Sequence, residues 1–170
     1  MYCRNIMQLF ILDYSPVVSA RSLCDKHLRK MCLETAQILS SVMAKYNLSL
    51  SENMPRPYNV SHPVIKALDT PVKVDYAVIY NAALHTEYKR RFGKSHAYGA
   101  LSKLYWQQLF NGNFIFPTPE CTFARAFKDI EITHKDIVQS YRIYYRYKKT
   151  QLRHWQYTDS VEPEWLRGGF

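Results

Sequence analysis

Apolar residues recur every three to four positions along most of this chain, which is the spacing of amphipathic helices. The pattern predicts four main helices, at about residues 16–46, 71–92, 95–110 and 134–156. A shorter helical turn is expected at 63–68. The apolar segment IMQLFILDY, at 6–14, is too short for a helix of its own, so we expect a short strand or an extended arm there.

Start and stop signals support the first two helices. Ser15-Pro16 and Thr70-Pro71 each place a capping side chain before a proline that suits the first helical position. Gly93 should end the second helix as a C-cap. The turn before it contains Lys89, Arg90 and Arg91, and the negative end of the helix dipole favours such cations. Local chemistry therefore fixes both ends of the second helix.

The rest of the chain divides into loops and one further helix start. Thr133 with Asp136 resembles a capping box, with Asp in place of the usual Glu or Gln, ahead of the fourth helix. Loops are predicted at 51–63 and 111–120, and the tail from 159 has an irregular pattern. No internal repeat or linker divides the 170 residues. We expect a mostly α fold: a single compact domain over residues 1–170, with about four main helices and a short N-terminal strand or arm.

Composition narrows the class of partner. The formal net charge is +9, and aromatic residues make up 15% of the chain, 14 of them tyrosines. Cationic side chains hold phosphates and aromatic rings stack on bases, so the combination favours a nucleic acid. Scattered surface lysines on an ordinary soluble protein are the alternative.

Several other chemistries are not predicted. The four cysteines, Cys3, Cys24, Cys32 and Cys121, form no C-x-x-C pair, so we expect a reducing compartment and no zinc site. There is no phosphate-binding glycine loop and no H-E-x-x-H motif, and we predict neither a metal nor a cofactor. No apolar run approaches the roughly 18 residues of a membrane span, and no signal peptide is recognisable. We therefore expect a cytoplasmic protein that does not bind membranes.

The segment CDKHLRKMCLETAQIL, residues 24–39, combines an apolar stripe with a row of polar residues. On a helical wheel His27 and Glu34 lie about 20° apart on one flank of the stripe, and Lys30, Gln37 and Ser41 complete that flank. Such a row is typical of a cleft rim, where partial desolvation raises a carboxyl pKa toward the range useful for proton transfer. A solvated face with a Lys30–Glu34 pair is the alternative. The stripe consists of Cys24, Leu28, Met31, Cys32, Thr35, Leu39 and Val42.

The stretch DKHLRKMCLE, residues 25–34, resembles the D-x-H-x6-E stretch on the long N-terminal helix of the phage-type pyrimidine-dimer DNA glycosylases, often called endonuclease V. The resemblance implies that Glu34 is the catalytic acid/base and that His27 lies near the damaged site. It also implies DNA, in duplex form, as the partner. The small size, the basic charge, the helical pattern and the Tyr- and Lys-rich C-terminal segment are similar as well.

One departure from that family concerns the nucleophile. There the attacking group is the α-amine of the mature chain, about one helix length before the glutamate, and counting back in this chain leads to Leu12 and Asp13. The printed sequence begins about a dozen residues earlier, so we expect the amine to be displaced or absent. Either the N-terminal arm folds back to deliver it, or a water attacks with the help of Asp13. Asp13 as a simple turn residue is the alternative.

Two further segments carry cations and aromatic residues. KRRFGKSH, residues 89–96, surrounds the end of the second helix, and YRIYYRYKKTQLRHW, residues 141–155, alternates tyrosines with lysines and arginines. Such surfaces position a phosphate backbone without reading its sequence. A solvated basic turn is the alternative for the first segment, and part of the second must be core. We expect substrate or DNA contacts from Asp25, Lys30, Gln37, Asn81, His85, Arg90, Arg91, Lys94, His96, Arg146, Lys148 and Lys149.

Three functions fit these observations. The first is a DNA glycosylase that exposes a damaged or modified pyrimidine and attacks its C1′ bond, with Glu34, His27 and Asp13 as the candidate catalytic residues. The second is a phage-type base-modifying enzyme that uses the same helical scaffold for transfer. The third is a non-catalytic nucleic-acid-binding or inhibitor protein. In each case we expect a monomer.

Overall fold

The computed structural model describes residues 7–99, 101–110 and 123–167, and the regular structure within these ranges is entirely helical. The predicted mostly α fold is confirmed. The four longest helices correspond to the four main helices of the prediction. The helices of the described residues are α1 (Pro16–Arg21), α2 (Asp25–Lys45), α3 (Pro63–Ala67), α4 (Pro71–Phe92), α5 (Leu101–Phe110), α6 (Ile137–Gln151) and α7 (Glu164–Arg167).

The N-terminal apolar segment does not form the predicted strand. Residues 7–12 have no regular secondary structure, and all of their side chains are buried. A strand needs a neighbouring strand to satisfy its backbone, and the described residues contain none. Side chains satisfy part of the backbone instead, since the Leu12 carbonyl accepts a 2.8 Å hydrogen bond from Nε of Arg142. The segment therefore runs as an irregular buried arm among the helices.

The helix predicted over 16–46 is two helices, α1 and α2. Residues on both sides of the break keep helical spacing, so the apolar pattern does not show it. Distant groups satisfy the N–H groups at the start of α2: Cys24 donates to the Tyr145 hydroxyl at 2.9 Å, and Asp25 donates to the Gln156 carbonyl at 2.9 Å. Because helix ends need such partners, tertiary contacts decide where α2 begins.

α4 begins and ends as predicted. Oγ1 of Thr70 accepts the Lys73 N–H at 3.2 Å, and proline occupies the first helical turn. Gly93 ends the helix with a φ of 67°, a left-handed conformation in which a side chain would be strained. The local signals at both ends were therefore sufficient to place this helix.

The boundaries predicted further along the chain are less accurate. α5 begins at Leu101 and not at Ser95. The N-cap of α6 is Asp136, whose carboxylate accepts a backbone N–H, so the predicted cap at Thr133 is wrong. α6 ends at Gln151, before the predicted end, and the tail predicted as irregular contains α7. The predicted loop at 111–120 lies outside the described residues.

One cluster of buried hydrophobic residues connects the helices. α4 packs against α1, α2 and α5, and α2 also contacts α3. The predicted apolar stripe of α2 is fully buried in this cluster, which α6 joins through Tyr141, Tyr144 and Tyr145. The single domain over residues 1–170 stays a prediction. Of the polar flank, His27 contacts Phe10 of the arm and Tyr145 of α6.

Candidate active site and basic groove

Glu34 is a buried carboxylate with an incomplete set of partners. Glu34 is 6% exposed to solvent. Oε1 pairs with Nζ of Lys30 at 3.1 Å, whereas Oε2 is buried without a hydrogen bond of normal geometry among the described residues. Burial raises the pKa of Glu34, and the Lys30 charge and the Gln8 backbone amide oppose the shift only in part. A carboxyl group in this state is suited to accept and return a proton.

His27 lies on the same flank of α2 and is packed among aromatic rings. Phe10 stacks on it with 5.2 Å between ring centroids, and Trp155 meets it edge-on at 5.4 Å. The Tyr145 hydroxyl accepts the Cys24 N–H and forms a 3.0 Å hydrogen bond with Nδ1 of His27. Burial, followed by nearby lysine charges, lowers the pKa of His27 to about 3. The ring is therefore neutral at pH 7.

A basic groove of about 820 Å³ opens beside this flank, between the start of α2 and the residues that follow α6. Lys30 lines the groove while its amine contacts Glu34, so the groove and the buried carboxylate are connected. Cations stand on both walls, as expected for a surface that holds phosphates. The lining residues are Asp25, Lys26, Arg29, Lys30, Gln151, Leu152, Arg153, His154 and Gln156.

Seven of these groove residues were not among the predicted site residues, and four of the seven have basic side chains: Lys26, Arg29, Arg153 and His154. On α2, Lys26 lies three residues before Arg29 and four before Lys30. This spacing places the three cations on one face of a helix and could have been recognised in the sequence. Arg153 and His154 follow the end of α6 and meet α2 only in the folded chain. Their place in the groove could not be read from spacing.

A second groove, of about 660 Å³, lies between α4 and the segment before α5. It is lined in part by His85 and His96, whose ring centroids are 5.3 Å apart. Burial lowers the pKa of His85 to about 4, and its Nδ1 is buried without a partner in the described residues. Asn81 donates to Thr35 of α2 at 2.8 Å and accepts from Ser102 at 2.8 Å. The predicted site residues Asn81, His85 and His96 thus lie together, at a place separate from the basic groove.

The end of α4 carries a compact ion-pair network. Glu87 accepts from Arg90 at 2.8 and 2.7 Å and from Arg91 at 2.7 Å. Arg91 also donates to Asp25 at 3.1 Å and to two backbone carbonyls, and its guanidinium is fully buried. Asp25 accepts the N–H and the hydroxyl of Thr158. Arg91 and Asp25, both predicted to contact DNA, therefore join α2 and α4 to the segment that follows α6.

Asp13 occupies the turn before α1. Its Oδ1 accepts the Ser15 N–H at 2.9 Å, and its Oδ2 pairs with Arg142 at 3.2 Å. Its carbonyl accepts from the hydroxyls of Ser19 and Tyr76. These contacts fix the entry into α1, and the part of Asp13 in activating a water stays a prediction. The α-amine of the chain lies outside the described residues.

Most cations predicted along the C-terminal helix contact other parts of the protein. Arg146 donates to a backbone carbonyl of α7 at 2.8 Å, Lys149 pairs with an acidic residue of the tail, and Lys148 lies over a tyrosine ring at 5.1 Å. Lys94, in contrast, is exposed just after α4, and Gln37 is partly exposed on α2. The basic C-terminal run therefore serves internal contacts to a greater extent than its charge suggests.

Two general features of the described residues concern membranes and metals. No helix in these ranges is both long and apolar enough to cross a membrane. The same ranges contain no group of three or more His, Cys, Asp or Glu side chains placed to hold a metal ion. That the protein uses neither a metal nor a cofactor stays a prediction.

Comparison with known proteins shows which family this chain matches. A family model described as pyrimidine dimer DNA glycosylase matches residues 7–98, more than half of the chain, from the buried arm to just beyond α4. The matched range includes both His27 and Glu34. No curated protein and no solved structure matches the chain. The chain therefore belongs to the pyrimidine dimer DNA glycosylase family, as the D-x-H-x6-E stretch predicted.

Proposed function

We propose that this protein excises a damaged or modified pyrimidine from duplex DNA, with Glu34 as the acid/base at the C1′ glycosidic bond. The observation that carries the proposal is the buried Glu34 carboxylate, of which one oxygen has no hydrogen bond of normal geometry among the described residues and which is linked through Lys30 to the basic groove. Family membership supplies the reaction class, a DNA glycosylase that acts in repair.

The unpaired oxygen of Glu34 favours catalysis over a purely structural role. Leaving a buried polar group without a hydrogen bond costs on the order of 1–3 kcal/mol of folding free energy. The apolar stripe of α2 gains nothing from a charge on its flank, so the fold alone gives no reason for the carboxylate. Perturbed carboxyl groups cluster at sites that transfer protons.

His27 serves in this proposal as a positioning residue. Its neutral ring holds Phe10, Tyr145 and Trp155 in one aromatic cluster on the flank of α2. Trp155 is the partly exposed member and follows the groove residue His154 in the chain. An unstacked base needs an aromatic surface on which to rest, and Trp155 offers it next to the groove.

The DNA backbone is proposed to lie in the basic groove. Lys26, Arg29 and Arg153 are exposed and line its two walls. Lys94, exposed beyond the end of α4, is a further candidate contact. These groups neutralise phosphates without reading bases, which suits an enzyme that searches duplex DNA for altered nucleotides.

Base excision is tested directly. Ultraviolet-irradiated, uracil-containing and phage-modified duplex DNA are incubated with the protein, and released bases are identified by mass spectrometry. After the incubation and before the mass measurement, the irradiated samples are photoreversed, because a pyrimidine cut from its sugar stays joined to its neighbour in the dimer. We expect a released pyrimidine from at least one substrate. Glu34→Gln should release about 10²-fold less, and Glu52→Gln, a matched change at an exposed position, should retain activity.

Other outcomes separate the alternatives. Equal release by the wild type and Glu34→Gln would contradict the acid/base role. A mass increase of a nucleoside that stays in the DNA would indicate the base-modifying enzyme. Intact binding with no released or altered base from any of the three substrates would favour the non-catalytic protein.

A further inference from the structure

Lys30 stands at the junction between the basic groove and the buried carboxylate. Its side chain is 40% exposed and lines the groove, whereas that of its partner Glu34 is 8% exposed. The two charged groups are 3.1 Å apart, and Lys30 is the ion-pair partner of Glu34 within the described residues. An amine that reaches solvent on one side and a proton acceptor on the other has the geometry of an activated nucleophile.

We propose that the side-chain amine of Lys30 attacks C1′ of the target nucleotide and forms a covalent imine with the sugar. This inference rests on the proposed glycosylase function and adds the nucleophile to it. Glu34 then has a defined first role, which is to take a proton from Nζ of Lys30.

The bonds and protons of this step balance. Glu34 removes a proton from the Lys30 ammonium, and the nitrogen lone pair forms the bond to C1′. The bond from C1′ to the base breaks, the electron pair leaves with the base, and Glu34 passes the proton it holds to the base. Opening of the sugar ring gives the protonated imine, with O4′ receiving a proton from the nitrogen by way of Glu34. Water then hydrolyses the imine, which frees the amine and leaves an abasic aldehyde.

Other candidate nucleophiles fit the described geometry less well. The nitrogen of Asp13, near the position to which the family resemblance leads, is a peptide nitrogen that donates to Oγ of Ser19 at 2.8 Å. A peptide nitrogen is not a nucleophile, because its lone pair is delocalised into the carbonyl group. The amine of Lys148 lies over the rings of Tyr144 and Tyr147, at 5.1 and 5.8 Å. Lys30 is the amine shown in contact with the acid/base.

The test uses a duplex oligonucleotide with one abasic site and sodium borohydride, which reduces an imine to a stable bond. The adduct is digested and mapped by mass spectrometry. We expect it on the peptide that contains Lys30, and we expect Lys30→Arg, which keeps the positive charge, to reduce adduct yield at least tenfold. Lys66→Arg, a matched change at an exposed position outside the groove, should leave the yield unchanged. Glu34→Gln should slow adduct formation.

Base release is measured in parallel with the three DNA substrates described above, so that the two proposals fail separately. An adduct that maps to the α-amine or to Lys148, or one that persists in Lys30→Arg, would overturn the assignment of Lys30. Base release without any adduct would overturn the imine and leave the glycosylase proposal intact. An adduct at Lys30 without base release from any substrate would support the placement of Lys30 at C1′ and overturn the glycosylase proposal.

Discussion

Glu34 on α2 and Glu87 on α4 are both buried glutamates with basic partners, yet their surroundings differ. Glu87 receives two guanidinium groups, which engage both of its oxygens. Burial raises the pKa of Glu87, but Arg90 and Arg91 outweigh burial and the net shift is downward. Glu34 receives one lysine on one oxygen, and its pKa is raised. The number of donors therefore distinguishes Glu87, whose pKa is lowered by its partners, from Glu34, whose pKa stays raised and which we propose as the acid/base.

The same contrast applies to the arginines and lysines around the two carboxylates. Arg91 is buried and gives its donors to Glu87, Asp25 and backbone carbonyls. Lys26 and Arg29 are exposed at the groove. A basic residue in a DNA-binding protein is consequently informative only when its partners in the fold are known.

The largest effect is expected for Glu87→Gln. The change removes a charge that two arginines share and leaves the Arg91 guanidinium buried with Asp25 as its remaining carboxylate. Breaking a buried ion pair costs about 3–5 kcal/mol, and we expect about 3 because Asp25 still pairs. Urea unfolding at neutral pH measures the loss. A loss below about 1 kcal/mol, similar to that of Glu52→Gln on the surface, would contradict a structural role for Glu87.

Glu34→Gln is expected to change the rate of base release and leave stability intact. The amide keeps the shape and removes a desolvated charge, while the lost Lys30 pair is worth only tenths of a kcal/mol. A carboxyl group whose folded pKa is raised lowers stability at pH values above that pKa, so unfolding free energy at pH 7 should be equal or higher in the variant. Turnover should fall by about 10²-fold, or roughly 2.7 kcal/mol in the activation barrier. Melting of the variant, with activity following the folded fraction, would show that Glu34 is structural.

The pKa values of Glu34 and Glu87 should also lie on opposite sides of the ordinary pKa of a glutamate side chain. Carbon-13 NMR of labelled glutamate side chains is expected to give Glu34 a midpoint above 4.5 and Glu87 a midpoint below it. The Glu34 signal is assigned by its loss in Glu34→Gln. Stability from Glu87 should be complete above its unfolded pKa and should be lost as pH falls through its lower folded pKa, whereas protonation of Glu34 favours the folded state. Midpoints in the reverse order would remove the contrast.

The smallest effect is expected from single groove cations. Lys26→Gln and Arg29→Gln should each make the slope of log affinity for duplex DNA against log salt shallower by about 0.9, the value of one lost phosphate contact. Arg56→Gln, an exposed position outside the groove lining, is the control and should leave the slope unchanged. Fluorescence anisotropy over a range of salt concentrations measures the slopes. A flat salt response of the wild type would contradict a nucleic-acid partner.

The sequence by itself determined the features that depend on neighbouring residues. Periodicity gave the helical class and the buried stripe of α2, because a helix must place one stripe against the core. The caps at Thr70 and Gly93 placed α4, because their hydrogen bonds and backbone angle are local. The ten residues ending at Glu34 gave the family, because that stretch lies on one helix and needs no other element to be recognised.

Tertiary structure alone decided which polar groups have partners. The break before α2 depends on Tyr145 and Gln156, which are more than one hundred residues away in the chain. The burial of Arg91 depends on where α1 ends and α2 begins, and the groove depends on Arg153 and His154 meeting α2. Helical spacing placed Glu34 and Lys30 on one flank, but only the folded chain buries Glu34 and leaves its Oε2 without a hydrogen bond of normal geometry among the described residues. Spacing along a helix indicates pairs such as Lys30–Glu34, but the burial of such a pair and its contacts with other elements follow from three-dimensional packing.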